Sequence, residues 1–140
     1  MSFTGEFRHT IDAKGRLIVP SRMRDELGED VMLSRWLDDC IAIWSLEEWA
    51  AIEAKLRSQK SGSKAARRLV RRIAGSAHPD SVDKQGRITV PAHLRELAGI
   101  TRDVLVVGAL NRAELWNPNA YQQEQLEEGQ LEELAEDLDF

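Results

Sequence analysis

The chain has 140 residues, 42% of them hydrophobic and 31% charged, a composition that excludes a disordered, collagen-like or disulfide-built protein. It shows neither an apolar run of the roughly 18 residues that suggests a membrane span nor a secretory signal, so we expect a cytoplasmic protein without a membrane partner. The net charge of -5 is unevenly distributed. Residues 122–140 contain eight acids and no Lys or Arg, whereas residues 55–72 contain eight basic residues and no acid. This asymmetry is typical of a basic surface with an acidic tail.

Taken in chain order, the predicted elements form the same series twice. Each half contains a strand, a tight turn, a β-branched strand ended by proline, a short helix, two strands that form a hairpin, and a longer helix. The predicted strands are Leu17–Val19, Val31–Trp36, Cys40–Trp44, Ile88–Val90, Val104–Val107 and Ala113–Trp116. Helices are predicted after Ser45, which forms a capping box with Glu48, over Lys64–Ile73, and after Asn117 and Pro118. Ser61, Gly62 and Ser63 indicate a loop before the Lys64 helix.

These two series come from an internal repeat. At an offset of 71 residues, Asp12 to Gly28 matches Asp83 to Gly99 at seven of 17 positions, where average residue usage gives about one. A half of this length buries only about 60% of its unfolded surface, so we expect one domain over residues 1–140. It divides into repeat one (about 5–59), a basic connecting segment (60–77), repeat two (about 78–126) and an acidic tail (127–140). The halves are expected to interleave their hairpins into one small barrel, as an intramolecular pseudo-dimer of α+β class.

The repeated turn has the pattern Asp-x-x-Gly-Arg. Gly15 and Gly86 supply the positive φ that a tight turn needs. Asp12 and Asp83 carry acceptor-only carboxylates, which are suited to hold the turn through backbone N–H groups. We therefore expect these four residues to support the turns.

The arginines and lysines of the turns are the candidate binding residues. Arg16 and Arg87 follow the turn glycines, where a planar guanidinium can contact guanine O6 and N7 or grip a phosphate. Lys14 and Lys84 would attract phosphate. An Asp and an Arg four residues apart are also consistent with a simple surface ion pair that fixes a hairpin. Arg8 and His9 could add contacts to the nucleic-acid backbone.

The motif resembles that of the MraZ family of bacterial transcriptional regulators. The start of the chain, with Phe3, Gly5, Glu6, Phe7, His9 and Ile11, is similar to the opening of that family. The resemblance implies an AbrB-like swapped-hairpin barrel, a ring of several subunits, and binding to short G-rich direct repeats upstream of the cell-division and cell-wall gene cluster, as a repressor. It also implies DNA contacts by the motifs Asp12–Arg16 and Asp83–Arg87, and by Lys14. Gln85 stands where the first copy has Lys14, and the second lysine is shifted to Lys84.

Other constellations give weaker predictions. His9, His78 and His93 have no Cys at zinc spacing, and Cys40 is flanked by apolar residues, so we expect no metal, no cofactor, no small-molecule substrate and no enzyme. The basic run Lys64–Arg72 could contact DNA, but we expect it to pair with Glu47, Glu48 and Glu53 or with acids of a neighbouring subunit, because it lies far in sequence from the turns. Tryptophans are expected in the core, except Trp36, which is expected at an exposed or intersubunit position. Two alternatives to a DNA-binding, nucleoid-associated repressor stay open: a ring scaffold for a protein partner, and an antitoxin.

Overall fold

The computed structural model describes residues 2–60 and 62–140. The strands are β1 (Glu6–Thr10), β2 (Arg16–Ile18), β3 (Asp30–Arg35), β4 (Ile41–Ser45), β5 (His78–Ser81), β6 (Arg87–Thr89), β7 (Asp103–Gly108) and β8 (Ala113–Trp116). The helices are α1 (Ser21–Leu27), α2 (Leu46–Arg57), α3 (Lys64–Ser76), α4 (Ala92–Leu97), α5 (Pro118–Gln123) and α6 (Glu128–Asp137), and a 3-10 turn covers Leu37–Asp39. The fold is of α+β class, as predicted.

The strands pair between the two halves of the chain. Six strands form one antiparallel sheet in the order β1-β7-β8-β4-β3-β5, and β2 pairs with β6 in a separate antiparallel ribbon. The first strand of each half therefore pairs with the other half: β1 with β7, and β5 with β3. Because the ladder hydrogen bonds cross between the repeats, each half completes the sheet of the other.

The main core lies between the β2–β6 ribbon and one face of the large sheet. Leu17 and Ile88 face each other across the ribbon and are fully buried, because side chains alternate across a strand and these are the central residues of β2 and β6. The buried residues of α1 and α4, Met23, Leu27 and Leu94, pack into the same core. The ribbon is thus fixed to the body by its inward side chains, and its outward side chains face solvent.

Helices cover the opposite face of the large sheet. Trp44 is fully buried there, and its indole N–H donates to Ser34 Oγ at 3.1 Å. Trp36 packs edge-on against Trp44 at 4.9 Å between ring centroids, with the Arg112 guanidinium 5.2 Å from the Trp36 ring. Trp36 is therefore half-buried on its own chain and does not have the exposed position that was one of the two predicted. The other, an intersubunit position, stays a prediction.

The predicted elements are present with small shifts at their ends. Both proline-terminated strands begin and end one residue earlier than predicted, and the helix predicted over Lys64–Ile73 continues to Ser76. Ser45 Oγ accepts from the Glu48 N–H at 3.2 Å, and Asn117 Oδ1 accepts from the N–H groups of Asn119 and Ala120. Both predicted N-caps are confirmed. The loop predicted at Ser61–Ser63 includes Ser61, which lies outside the described residues.

No helix among the described residues has the length and apolar composition to cross a membrane.

Candidate nucleic-acid interface

The first turn is closed around the carboxylate of Asp12. Oδ1 accepts from the backbone N–H groups of Lys14 and Arg16, both at 2.9 Å, and Oδ2 accepts from Arg16 Nε at 2.9 Å. The backbone adds two bonds, from the Gly15 N–H to the Asp12 carbonyl and from the Asp12 N–H to the Arg16 carbonyl. Asp12 thus fixes both the loop and the guanidinium that leaves it.

The second turn repeats this geometry. Asp83 Oδ1 accepts from the N–H groups of Gln85 and Arg87 at 2.9 Å, and Oδ2 accepts from Arg87 Nε at 2.8 Å. Because the same bonds form around two different local sequences, Ala-Lys and Lys-Gln, the shared Asp, Gly and Arg are sufficient to specify the turn.

The hydrogen bonds lower the pKa of both aspartates. The backbone N–H of Arg16 is the main cause for Asp12, and the backbone N–H of Arg87 is the main cause for Asp83. Each guanidinium adds a smaller effect in the same direction. Both carboxylates are therefore ionised at neutral pH and hold the arginines in place.

The two turns lie at opposite ends of the β2–β6 ribbon. The Val19 N–H donates to the Gly86 carbonyl at 2.8 Å, and the Val90 N–H donates to the Gly15 carbonyl at 2.7 Å. Each turn is therefore hydrogen-bonded to the residue that follows the ribbon strand of the other repeat. The ribbon and both turns form one rigid unit.

The outward face of this unit is polar and basic. Arg16 and Arg87 alternate with the buried Leu17 and Ile88, so both arginines are on the solvent side, with 32% and 27% of their side chains exposed. Within the described residues, Nε of each guanidinium donates a hydrogen bond, and neither Nη1 nor Nη2 of Arg16 or Arg87 does so. The terminal nitrogens are available for an external ligand.

The two lysines of the turns are exposed at different positions. Lys14 is the third residue of its turn and Lys84 is the second, so their side chains leave the two turns at different points. The two ends of the ribbon thus present equivalent arginines, Arg16 and Arg87, beside lysines at different positions of the turn.

Sequence reasoning missed two further arginines. Arg24 of α1 donates from Nε to the Val19 carbonyl at 2.9 Å, and Arg95 of α4 donates from Nε to the Val90 carbonyl at 3.0 Å. A Cβ built on Gly86 would meet the Arg24 guanidinium, and one on Gly15 would lie 3.2 Å from Arg95 Nη2. Each turn is therefore backed by an arginine from the other repeat. The signal was available, since Arg24 and Arg95 are identical at the repeat offset.

Both turn glycines have left-handed backbone conformations, with φ of +79° at Gly15 and +78° at Gly86. At Gly86 the Arg24 guanidinium occupies the space that a side chain would need, and at Gly15 a Cβ would lie 3.1 Å from the Val90 carbonyl oxygen and 3.2 Å from Arg95 Nη2. These two constraints together explain why glycine stands at the fourth position of both turns.

The basic helix α3 forms a different contact from the one predicted. Arg72 donates to the Trp36 carbonyl and, at 3.1 Å, to Asp39, which belongs to the β3–β4 connection. The predicted partners Glu47, Glu48 and Glu53 belong to α2, where Glu53 pairs with Arg57 within the same helix. The outcome differs because α3 packs on β3, which brings Arg72 to the end of that hairpin.

Cys40, the possible metal ligands, and Arg8 with His9 were the other groups considered in the sequence. Cys40 is buried, and burial raises the pKa of its thiol, so it is a small core residue. In the described part of the chain, His, Cys, Asp and Glu side chains come together nowhere in a group of three that could hold a metal ion. Arg8 and His9 lie on edge strand β1 and line an open groove with Asn117 and Asn119.

Comparison with known proteins gives one family for the whole chain. The family model described as "MraZ protein, putative antitoxin-like" matches twice, over residues 2–73 and 73–139. Proteins named transcriptional regulator MraZ are similar over nearly the full length. That of Thermoanaerobacter sp. is 44% identical over 136 residues, covering 96% of this chain and 95% of the relative. That of Symbiobacterium thermophilum is 44% identical over 137 residues, covering 97% and 99%. That of Acetivibrio thermocellus is 46% identical over 120 residues, covering 86% and 84%.

Proposed function

Since the chain belongs to the MraZ family, we propose that it is a transcriptional regulator that binds double-stranded DNA through the outward face of the β2–β6 ribbon and its two turns. The observation that carries the proposal is the pair of arginines, Arg16 and Arg87, each fixed by an aspartate through Nε with its terminal nitrogens turned to solvent. The proposed fold is the AbrB-like swapped-hairpin barrel, and the crossed pairing of β1 and β5 supports it.

The β2–β6 ribbon is a kind of element that DNA can accommodate. The major groove admits a two-stranded β-ribbon, and a guanidinium with two free terminal nitrogens can donate to guanine O6 and N7. Asp12 and Asp83 hold only Nε, so base contact would not break the ion pair. Ile18, which is 49% exposed on the same face, offers an apolar contact for a thymine methyl group. Such a face can distinguish bases as well as bind phosphate.

The lysines are proposed to contact phosphate. Lys14 and Lys84 extend from the ends of the ribbon, where the walls of the groove would lie. Their different places in the two turns predict that the two ends approach the DNA backbone differently. Arg24 and Arg95 support the turns from behind and fix their height above the body.

One ribbon contacts few base pairs, so affinity has to come from several subunits. A ring that presents many ribbons to short G-rich direct repeats would gain affinity by multivalent binding. We propose such a ring, acting in the cytoplasm on the DNA upstream of the cell-division and cell-wall gene cluster, with repression as the outcome. The support for target and outcome is the family resemblance.

The test is equilibrium DNA binding measured by fluorescence anisotropy at several salt concentrations. The probes are the DNA upstream of the protein's own gene and a scrambled duplex of the same length. We expect preference for the upstream DNA, and a slope of log K against log[salt] of about -0.9 for each phosphate neutralised. Arg16→Ala and Arg87→Ala are expected to abolish the preference, whereas Arg57→Ala, an exposed arginine of α2, is the matched control.

The second candidate function is a ring scaffold for a protein partner. In that case the arginines would form salt bridges between subunits. The protein would then show no preference for a DNA sequence and no salt-dependent binding to DNA. The family description includes the words antitoxin-like. The resemblance implies that such antitoxins correspond to a single half, whereas the family model matches this chain twice. Absent or salt-insensitive DNA binding, with assembly lost in Arg16→Ala, would favour the scaffold over the regulator.

A further inference from the structure

The outward face of the β2–β6 ribbon carries two pairs of side chains. Arg16 lies opposite Thr89, and Ile18 lies opposite Arg87. At the offset of 71 residues, Arg16 corresponds to Arg87 and Ile18 corresponds to Thr89. The two ends of the face therefore have the same arginine beside a different neighbour.

Each arginine lies close to its cross-strand neighbour. The ribbon is hydrogen-bonded from Val19 to Gly86 and from Val90 to Gly15. In an antiparallel ladder, such positions alternate with pairs that share no hydrogen bond, whose Cα atoms are only about 4.5 Å apart and whose side chains are closer. Both outward pairs fall at these closer positions, one residue further into the ribbon than the bonds. A base contacted by one arginine therefore also meets the residue beside that arginine, or has a neighbouring base that does.

Ile18 and Thr89 differ in the bases that they can select. Both side chains are exposed, Ile18 to 49%, so neither is explained by the packing of the core. Isoleucine has only apolar atoms, and in the major groove its favourable contact is the C5 methyl group of thymine. The threonine hydroxyl can donate or accept a hydrogen bond and so accommodates any base. The Arg87 end of the face therefore favours a thymine, and the Arg16 end does not.

The strands that flank the ribbon differ at the same two positions. Asp80 of β5 accepts from the Thr89 N–H at 2.6 Å through Oδ2. His9 of β1 has the equivalent position in repeat one, and within the described residues it accepts no hydrogen bond from the Ile18 N–H. The Thr89 end thus carries a carboxylate that has no counterpart beside Ile18. A negative charge there disfavours the close approach of a phosphate, so the two ends also differ toward the DNA backbone.

We propose that Ile18 gives the ribbon a direction on DNA, because it selects a thymine beside the base that Arg87 contacts. Thr89 beside Arg16 makes no such selection. A face with two identical ends would bind a duplex equally well in either direction. Since only one end requires a C5 methyl group, this ribbon distinguishes the two directions of its target. The inference rests on the proposed DNA binding by the ribbon and specifies a base at one of its ends.

Replacement of thymidine by deoxyuridine tests the methyl contact, because deoxyuridine pairs in the same way but lacks the C5 methyl group. Each thymine that the protein protects in a footprint of the upstream DNA is replaced in turn, and the affinity is measured by fluorescence anisotropy. We expect one thymine of each bound site to account for a loss of about fourfold, the effect of one buried methyl group. Ile18→Ser should remove this dependence. The matched control, Thr89→Ser at the equivalent exposed position, should keep it. Circular dichroism verifies that each variant is folded.

Site-directed cleavage identifies the end of the ribbon that lies at this thymine. Gln85 is an exposed residue of the turn that precedes Arg87. In a Cys40→Ala background, iron-EDTA attached through Gln85→Cys cuts the DNA beside that turn. We expect cuts next to the sensitive thymine, on one side of each bound site only.

Four results would overturn the direction: no thymine that responds to deoxyuridine, a response that Ile18→Ser retains, a response that Thr89→Ser removes, or cuts on both sides of the site. If binding still prefers the upstream DNA and still depends on Arg16 and Arg87, the proposed function stands without it. A wild-type protein with no preference for the upstream DNA would overturn both.

Discussion

At the scale of single residues, the candidate site depends on which atom of each side chain is occupied. Asp12 and Asp83 each use one oxygen for two backbone N–H groups and the other for an arginine Nε. An aspartate in this position orders the loop and aims the guanidinium with the same carboxylate. An exposed ion pair by itself adds little stability, so its value here is in orientation.

The aspartates give the protein a defined response to acid. Their pKa values are lower in the folded state than the ordinary 3.8, so the stability they contribute is complete above that value and is lost as the pH falls through the folded pKa. Wild type should therefore have a higher Tm than Asp12→Asn with Asp83→Asn at pH 7, and the difference in Tm should disappear as the pH falls below the lowered pKa of the folded state. Thermal unfolding followed by circular dichroism from pH 7 to 2 measures this. A Tm difference that persists unchanged at the acid end would contradict it.

At the scale of elements, the repeats are coupled through the turns. The β2–β6 ribbon joins the two motifs, and Arg24 and Arg95 cross from the helix of one repeat to the turn of the other. A change in either helix therefore reaches the turn of the opposite repeat.

This crossing predicts unequal coupling at the two glycines. Alanine at either glycine should cost about 1–2 kcal/mol from the left-handed backbone alone. At Gly86 the added methyl also displaces the Arg24 guanidinium, so Arg24→Ala should relieve part of the cost of Gly86→Ala. At Gly15 the nearest atom is the Val90 carbonyl oxygen at 3.1 Å, so Arg95→Ala should relieve less. Two double-mutant cycles by urea unfolding compare them, and equal interaction energies would contradict the closer approach of Arg24 to Gly86.

The sequence predicts the features of this fold that depend on neighbouring residues better than the contacts between residues far apart in the chain. The turns, the proline-ended strands and the N-caps at Ser45 and Asn117 were predictable because each depends on a few neighbouring residues. The contacts of Arg24 with the turn of repeat two, and of Arg72 with Asp39, join residues far apart in the chain. No local pattern encodes such pairs, although the repeat marked Arg24 and Arg95 as equivalent.

At the scale of the whole molecule, the chain is built as two halves that complete one another. The partners of β1 and β5 lie in the other repeat, and so does the partner of β2. The small size of each half predicted that the two halves share one core, whereas the barrel expected of their hairpins stays a prediction. The order β1-β7-β8-β4-β3-β5 follows only from the pairing itself.

We predict that neither repeat forms a folded monomer. A fragment of residues 1–77 lacks β6 and β7, and a fragment of residues 78–140 lacks β2 and β3. Each should be unfolded, or folded only as a dimer whose Tm rises with protein concentration, and an equimolar mixture should recover the cooperative transition of the full chain. Calorimetry at several concentrations distinguishes these cases. A single repeat with a concentration-independent Tm would show that the halves are separate domains.

The central claim is that the ribbon distinguishes bases through two arginines, and Arg16→Lys with Arg87→Lys tests it most directly. Lysine keeps the charge but cannot donate in the planar, two-pronged geometry that guanine O6 and N7 accept. The measurement is the ratio of affinities for the upstream DNA and for a scrambled duplex, in wild type and variant at one salt concentration. We expect the ratio to fall toward one while the affinity for scrambled DNA stays within about twofold. A variant that keeps the wild-type ratio would show that the arginines contribute charge alone and that the bases are contacted elsewhere.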